Sequence, residues 1–144
     1  MVAGLSMGGY GALKVALSCP EKFGYCASLS GSLDVTREGR TVDLPLWRGV
    51  FDFDLKDPME LKDSCHDLFA LARKNSAAGK PFPRLYLWCG TEDVLIKINR
   101  EYRDLLNELK VEHLYEEGEG DHTWPWWDLH IQDALNYLMA PDAE

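Results

Sequence analysis

The run Gly4-Leu5-Ser6-Met7-Gly8 fits the pattern G-x-S-x-G. The chemistry of that pattern is a serine on a sharp turn between a strand and a helix, where a strained backbone presents the hydroxyl as a nucleophile. Glycines two residues before and two after leave room for the crowded turn, and Gly9, Gly11 and Ala12 extend that room so that a helix can lie close to a sheet. A serine hydroxyl is a weak nucleophile unless a base takes its proton and an acid orients that base. On this kind of turn the partners follow in the order serine, acid, histidine. Asp93 and His122 stand in that order. Glu92, beside Asp93, and Asp121, beside His122, are the competing acids, though a sequence neighbour rarely reaches the far nitrogen of a histidine ring. Asp93 also has an ordinary alternative, as the cap of the helix that follows it. His66, His113 and His130 fall inside helical or strand patterns and read as structural or surface residues.

The elements that would position these groups follow from hydrophobic spacing. An apolar stub, Met1 to Ala3, runs into the glycine-rich turn, and Tyr10, Leu13 and Leu17 then mark a helix over 10–18 that Pro20 and Gly24 stop. Residues 25–30 predict a short buried strand ended by Gly31. Residues 34–57 show no period and read as a long, variable connection. Asp57, Pro58 and Glu60 form a capping-box start, and Leu61, Cys65, Leu68, Phe69 and Ala72 share one face of a helix to about Lys74. Residues 85–89 predict a second strand and Leu95, Ile98, Tyr102, Leu105, Leu106 and Leu109 a strongly amphipathic helix. Residues 111–115 predict a third strand, 116–122 a polar loop, and 128–140 a last helix with Ile131, Ala134, Leu135 and Leu138 inward. Strands alternating with helices predict an α/β fold with a mainly parallel sheet of about three to four strands flanked by helices. Ser6, Asp93 and His122 then all lie past the carboxyl ends of strands, on the edge where open α/β sheets hold their sites.

Length and composition narrow the field. A chain of 144 residues, 46% of them hydrophobic, builds one core, and residues 1–144 read as a single domain. A net charge of -9 repels phosphate backbones, which argues against nucleic acid and anionic membrane as partners. The apolar runs are only a few residues long, too short to span a bilayer. The four cysteines, at 19, 26, 65 and 89, contain no CxxC pair, so buried free thiols in a reducing, cytoplasmic compartment are expected rather than a metal site or disulfides. No secretory leader precedes the first element, a lack that carries little weight because the natural amino terminus is expected to be missing.

The segments Gly-Leu-Ser-Met-Gly-Gly-Tyr-Gly-Ala-Leu-Lys (4–14), Ser-Leu-Ser-Gly-Ser-Leu-Asp (28–34), Cys-Gly-Thr-Glu-Asp (89–93) and Gly-Asp-His-Thr-Trp (120–124) together resemble the putative-esterase family of α/β hydrolases, tributyrin esterases most nearly. S-formylglutathione hydrolases, feruloyl and acetylxylan esterases and mycolyltransferases are relatives within it. The resemblance covers nearly the whole chain. It implies Ser6 as nucleophile, Asp93 as acid, His122 as base, and hydrolysis of short-chain carboxylic esters without a metal or organic cofactor. A family member has about eight strands, with the serine turn after the fifth, so this chain resembles the carboxyl-terminal half only.

On that reading the backbone N–H of Met7, opening a helix, holds the oxyanion of the tetrahedral intermediate. Trp124 and Trp47 are the expected walls of a substrate pocket, with Phe51, Phe53 and Trp126 as further candidates, while Trp127 is expected in the core. The stub at 1–3 would be a central strand in a complete family member, so its open side favours a homo-oligomer, a two-fold homodimer first. Two other functions stay open: a non-catalytic half-domain that folds only as an oligomer, and a thioesterase such as an S-formylglutathione hydrolase.

Overall fold

A computed structural model describes residues 1–36, 48–51 and 54–140 of the chain; Trp47 and Phe53, expected as pocket walls, lie outside them. The strands are β1 (Val2–Leu5), β2 (Tyr25–Leu29), β3 (Arg84–Gly90) and β4 (His113–Gly118). The helices are α1 (Met7–Ser18), α2 (Leu68–Ala77), α3 (Ile96–Glu108) and α4 (Trp124–Met139). The four strands form one sheet in the order β1-β2-β3-β4, and each neighbouring pair is parallel. This is the α/β arrangement that the alternation of elements predicts.

Period-two alternation along β3 sorts the core onto the two faces of the sheet. Leu85 and Leu87 join Cys26 of β2 and bury Tyr10, Leu13 and Leu17 of α1, Leu68 and Ala72 of α2, and Ile98, Tyr102, Leu105 and Leu106 of α3. Tyr86 and Trp88 point the other way, with Ala27 and Leu29, and bury Trp127, Ala134 and Leu138 of α4. Three helices therefore cover one face and α4 covers the other. Each fully buried Leu contributes about 1.5–3 kcal/mol relative to exposure, which fixes these helices to the sheet and so fixes the loops at its carboxyl edge. α1 lies close to the sheet because Gly9 has no side chain; a Cβ there would come 2.6 Å from Ser28 Oγ and 3.0 Å from Gly31 Cα. A Cβ on Gly11 would meet open space, so Gly11 is not needed for that approach.

Several boundaries differ from those read from the sequence, among them α1, which starts at Met7 rather than Tyr10. The single helix expected over 57–74 is two elements. The capping box at Asp57 is present, but it closes only a 3-10 turn, Pro58–Leu61. Asp63 then takes a positive φ of 58°, and Asp67 restarts the chain as the cap of α2, its side chain accepting from the N–H groups of Ala70 (3.0 Å) and Asp63 (3.1 Å). Cys65, expected inside that helix, is exposed in the intervening turn; Cys26 and Cys89 are buried and Cys19 is half-buried. β4 runs to Gly118, and α4 starts at Trp124, with Pro125 in its first turn, rather than at Asp128. Leu135 of α4, expected inward, is exposed. Among the described residues no helix is long and apolar enough to cross a membrane.

Candidate active site

Ser6 joins β1 to α1 with φ 53° and ψ -122°, a conformation that costs a non-glycine residue on the order of 1–3 kcal/mol. Its surroundings hold it there. Its N–H donates to Leu29 O (2.9 Å), and its carbonyl accepts from the N–H groups of Gly9 (3.0 Å), Tyr10 (3.2 Å) and Ser32 (3.1 Å). The turn also needs Gly4, because a Cβ there would sit 2.1 Å from Gly8 O. The strain is thus offset by backbone hydrogen bonds to α1 and to the end of β2, and the hydroxyl is left free to face the edge of the sheet.

Asp93 follows β3 and is buried, with its side chain out of contact with solvent. One carboxylate oxygen, Oδ1, accepts from the N–H of Leu95 (2.8 Å), closing the turn that precedes α3; the N-cap of that helix is Leu95, with no side-chain cap hydrogen bond, so Asp93 is not its cap. The other, Oδ2, lies 2.8 Å from His122 Nδ1. An ionised carboxylate can only accept, so Nδ1 carries the proton and Nε2 presents a lone pair. That lone pair lies 2.9 Å from Ser6 Oγ. The structure therefore brings together all three residues singled out in the sequence, from the carboxyl ends of β1, β3 and β4.

Neither competing acid reaches the ring. Asp121 accepts from the hydroxyl of Thr123 at 2.5 Å. Glu92 turns to the loop that carries His122 and accepts from the N–H of Gly120 at 2.7 Å; that hydrogen bond holds its carboxyl below the usual glutamate range. The other histidines lie elsewhere: His66 against Lys14, His113 against the carbonyl of Val111, and His130 beside Asp133 and stacked on Trp88 at 4.1 Å. Burial, with the nearby Asp93 carboxylate, pushes the Cys89 thiol up to about 12, so it stays a neutral neighbour of the site.

Two residues near the site have contacts that the sequence did not foretell. Trp127 is buried, as expected, but its ring also meets His122 edge-on, with centroids 4.8 Å apart, while its indole N–H donates to Ser30 Oγ at 3.1 Å. Ser30 itself has φ 47° and donates its N–H to Trp88 O at 2.7 Å. The sequence signal for Ser30 was the Ser28-Leu29-Ser30-Gly31 run. Trp124 is exposed and packs edge-on against Trp127 at 5.6 Å. With Leu5, Leu29, Trp127 and Ile131 it lines a cavity of about 270 Å³ that reaches the serine turn at Gly4 and Leu5. Phe51 packs instead beside Tyr10 and His66, on the far face of the sheet. Met7 opens α1, and the first N–H groups of a helix have no acceptor within it. Among the described residues no group of three or more His, Cys, Asp or Glu could hold a metal ion.

Residues 1–138 match the sequence model of the family described as putative esterase. An acetyl esterase of Caldicellulosiruptor saccharolyticus is 30% identical over 145 residues, covering 95% of this chain and 53% of that protein. A fluorophosphonate-binding serine hydrolase of Staphylococcus aureus superposes with a TM-score of 0.81 at 29% identity, covering 96% of this chain and 53% of the other. An S-formylglutathione hydrolase of the same organism gives 0.78 at 29% identity with the same coverage. The chain thus spans about half the length of the relatives it matches.

Proposed function

Because the chain belongs to the putative-esterase family, we propose that it hydrolyses short-chain carboxylic esters, with Ser6 as nucleophile, His122 as base and Asp93 as acid. The observation that carries this reading is the unbroken line of hydrogen bonds from Ser6 Oγ through His122 to Asp93. His122 Nε2 takes the hydroxyl proton as Ser6 Oγ bonds to the carbonyl carbon. The N–H of Met7 holds the resulting oxyanion; one such donor is typically worth about 10²–10³ in turnover. Collapse expels the alcohol, which receives the proton from His122. A water molecule deprotonated by the same ring then releases the acid. Asp93 keeps the ring in the tautomer that can accept and stabilises the imidazolium formed in each half-reaction.

The acyl group is assigned to the cavity beside Leu5 and Trp124, whose volume of about 270 Å³ suits a short chain. The name of the acetyl esterase relative points the same way. A second reading, thioester hydrolysis, is favoured by the likeness to the S-formylglutathione hydrolase. The same proposal takes the protein as an associating chain, a homodimer first, because β1 is an end strand of the sheet among the described residues.

The test is covalent. The chain should label with a fluorophosphonate and give a burst of p-nitrophenol from p-nitrophenyl acetate, and Ser6→Ala should lose both while its circular dichroism spectrum is unchanged. Labelling that persists in Ser6→Ala, or a wild-type chain that neither labels nor turns over, would defeat the proposal. A matched panel of esters and thioesters separates the two substrate classes.

A further inference from the structure

His122 sits in the short turn between β4 and α4, and its distance to Asp93 depends on how that turn is held against the loop after β3. The two segments are joined at several points. Thr91 N–H donates to Gly118 O at 2.8 Å, and Glu92 N–H donates to Gly120 O at 3.0 Å. The Glu92 carboxylate closes the pairing from the other side, accepting from Gly120 N–H at 2.7 Å. Gly120 is therefore held at both its N–H and its carbonyl by the same residue. The backbones touch at this place: a Cβ on Gly90 would lie 2.0 Å from Gly120 O. Gly120 itself has φ 148°, and a Cβ on it would come 2.9 Å from the ring of Trp126.

The acid that orients the ring is Asp93, the next residue after Glu92. One dipeptide thus fixes both ends of the geometry. Asp93 sets the direction of the imidazole, and Glu92 sets the position of the loop two residues before it. The Glu92 side chain supplies the part of this link that a substitution can remove, since the two donations from Thr91 and Glu92 are made by the backbone.

We infer that Glu92 is a positioning residue for His122, acting through Gly120 to hold the histidine loop in register with Asp93 and Ser6. This rests on the reading of His122 as the base, so the test uses a readout that does not depend on turnover. A proton shared between His122 Nδ1 and Asp93 Oδ2, when it is shielded from exchange, gives a proton resonance far downfield of the amides. That resonance should be sharp in the wild-type chain. It should stay sharp in Glu92→Gln, whose amide oxygen can still accept from Gly120, and broaden into solvent exchange in Glu92→Ala. Glu119→Ala removes an equal charge from the exposed residue next to Gly120 in sequence and should leave the signal as it is.

Kinetics give the parallel prediction. In Glu92→Ala, kcat for p-nitrophenyl acetate should fall about tenfold with KM little changed, short of the roughly hundredfold that a displacement of 1 Å can cost. Glu92→Gln should recover most of the loss. An Nδ1 signal unaltered by Glu92→Ala, or altered equally by Glu119→Ala, overturns the inference. If the chain fails to label with a fluorophosphonate, the esterase proposal falls, yet the resonance still decides the role of Glu92.

Discussion

At Ser6 a non-glycine residue is kept at φ 53° by four backbone hydrogen bonds. The same principle of holding a costly geometry by several weak links recurs at Asp93, where one oxygen is tied to Leu95 N–H and the other is thereby aimed at His122. The structural job and the chemical job of Asp93 are thus done by different oxygens of one carboxylate. Asp93→Asn tests this division. The amide keeps an oxygen for Leu95, but its NH₂ offers the ring a donor in place of an acceptor, which favours the wrong tautomer. Turnover of p-nitrophenyl acetate should drop by about 10⁴, with circular dichroism close to wild type. Asp121→Asn should cost far less, and a larger loss from it would move the acid to Asp121. Ser6, Asp93 and His122, the three residues proposed to react, were legible in the sequence because G-x-S-x-G, the order of the partners and their positions after strands all constrain them together. The role of Glu92 was not legible, since its contact is with a backbone N–H 28 residues on and leaves no trace in residue spacing.

Between elements, spacing identified the right faces but not always the right ends. Tyr10, Leu13 and Leu17 on α1, and Ile98, Tyr102 and Leu106 on α3, are buried where the helical period puts them. The error at 57–74 has a physical source. Leu61, Leu68 and Ala72 are all buried, so their spacing imitates one continuous helix. The chain nevertheless turns back at Asp63 between them. Asp67 was the available signal, an N-cap residue directly before the apolar Leu68-Phe69, but the stronger capping box at Asp57 obscured it. Trp124 and Trp126 likewise read as pocket walls ahead of a helix placed at 128–140, although Pro125 fits a first helical turn. Asp67→Ala should therefore destabilise the protein by about 1 kcal/mol, because it removes the cap of α2 and the acceptor for Asp63 N–H together. For a chain of this size that is a fall in Tm of roughly 3 °C by thermal denaturation. Asp57→Ala, at an exposed 3-10 turn, should cost less.

Among the described residues, the molecule is a parallel sheet with three helices on one face and α4 on the other, and β1 has a single strand neighbour. Trp124, Leu129 and Met139 of α4 are exposed, and the cavity beside β1 is lined by Trp124 and Ile131. An open strand edge next to apolar side chains favours association. Light scattering after size exclusion should give twice the 16.3 kDa chain mass at micromolar concentration; a stable monomer would count against the homodimer. The hydrogen-bonded line crosses this architecture from one end of the sheet to the other. Ser6 leaves β1, while Asp93 and His122 leave β3 and β4, and the chain between β2 and α2 is a stretch of the backbone that joins the serine to its two partners. A single peptide cleavage in that stretch would divide the reactivity itself. The smaller piece would keep an ordinary alcohol and the larger an idle imidazole and carboxylate, and a fluorophosphonate would mark the serine only while the two pieces were paired through β2 and β3. In that divided form the protein would be a reporter of proximity, its chemistry switched by whether two peptides meet.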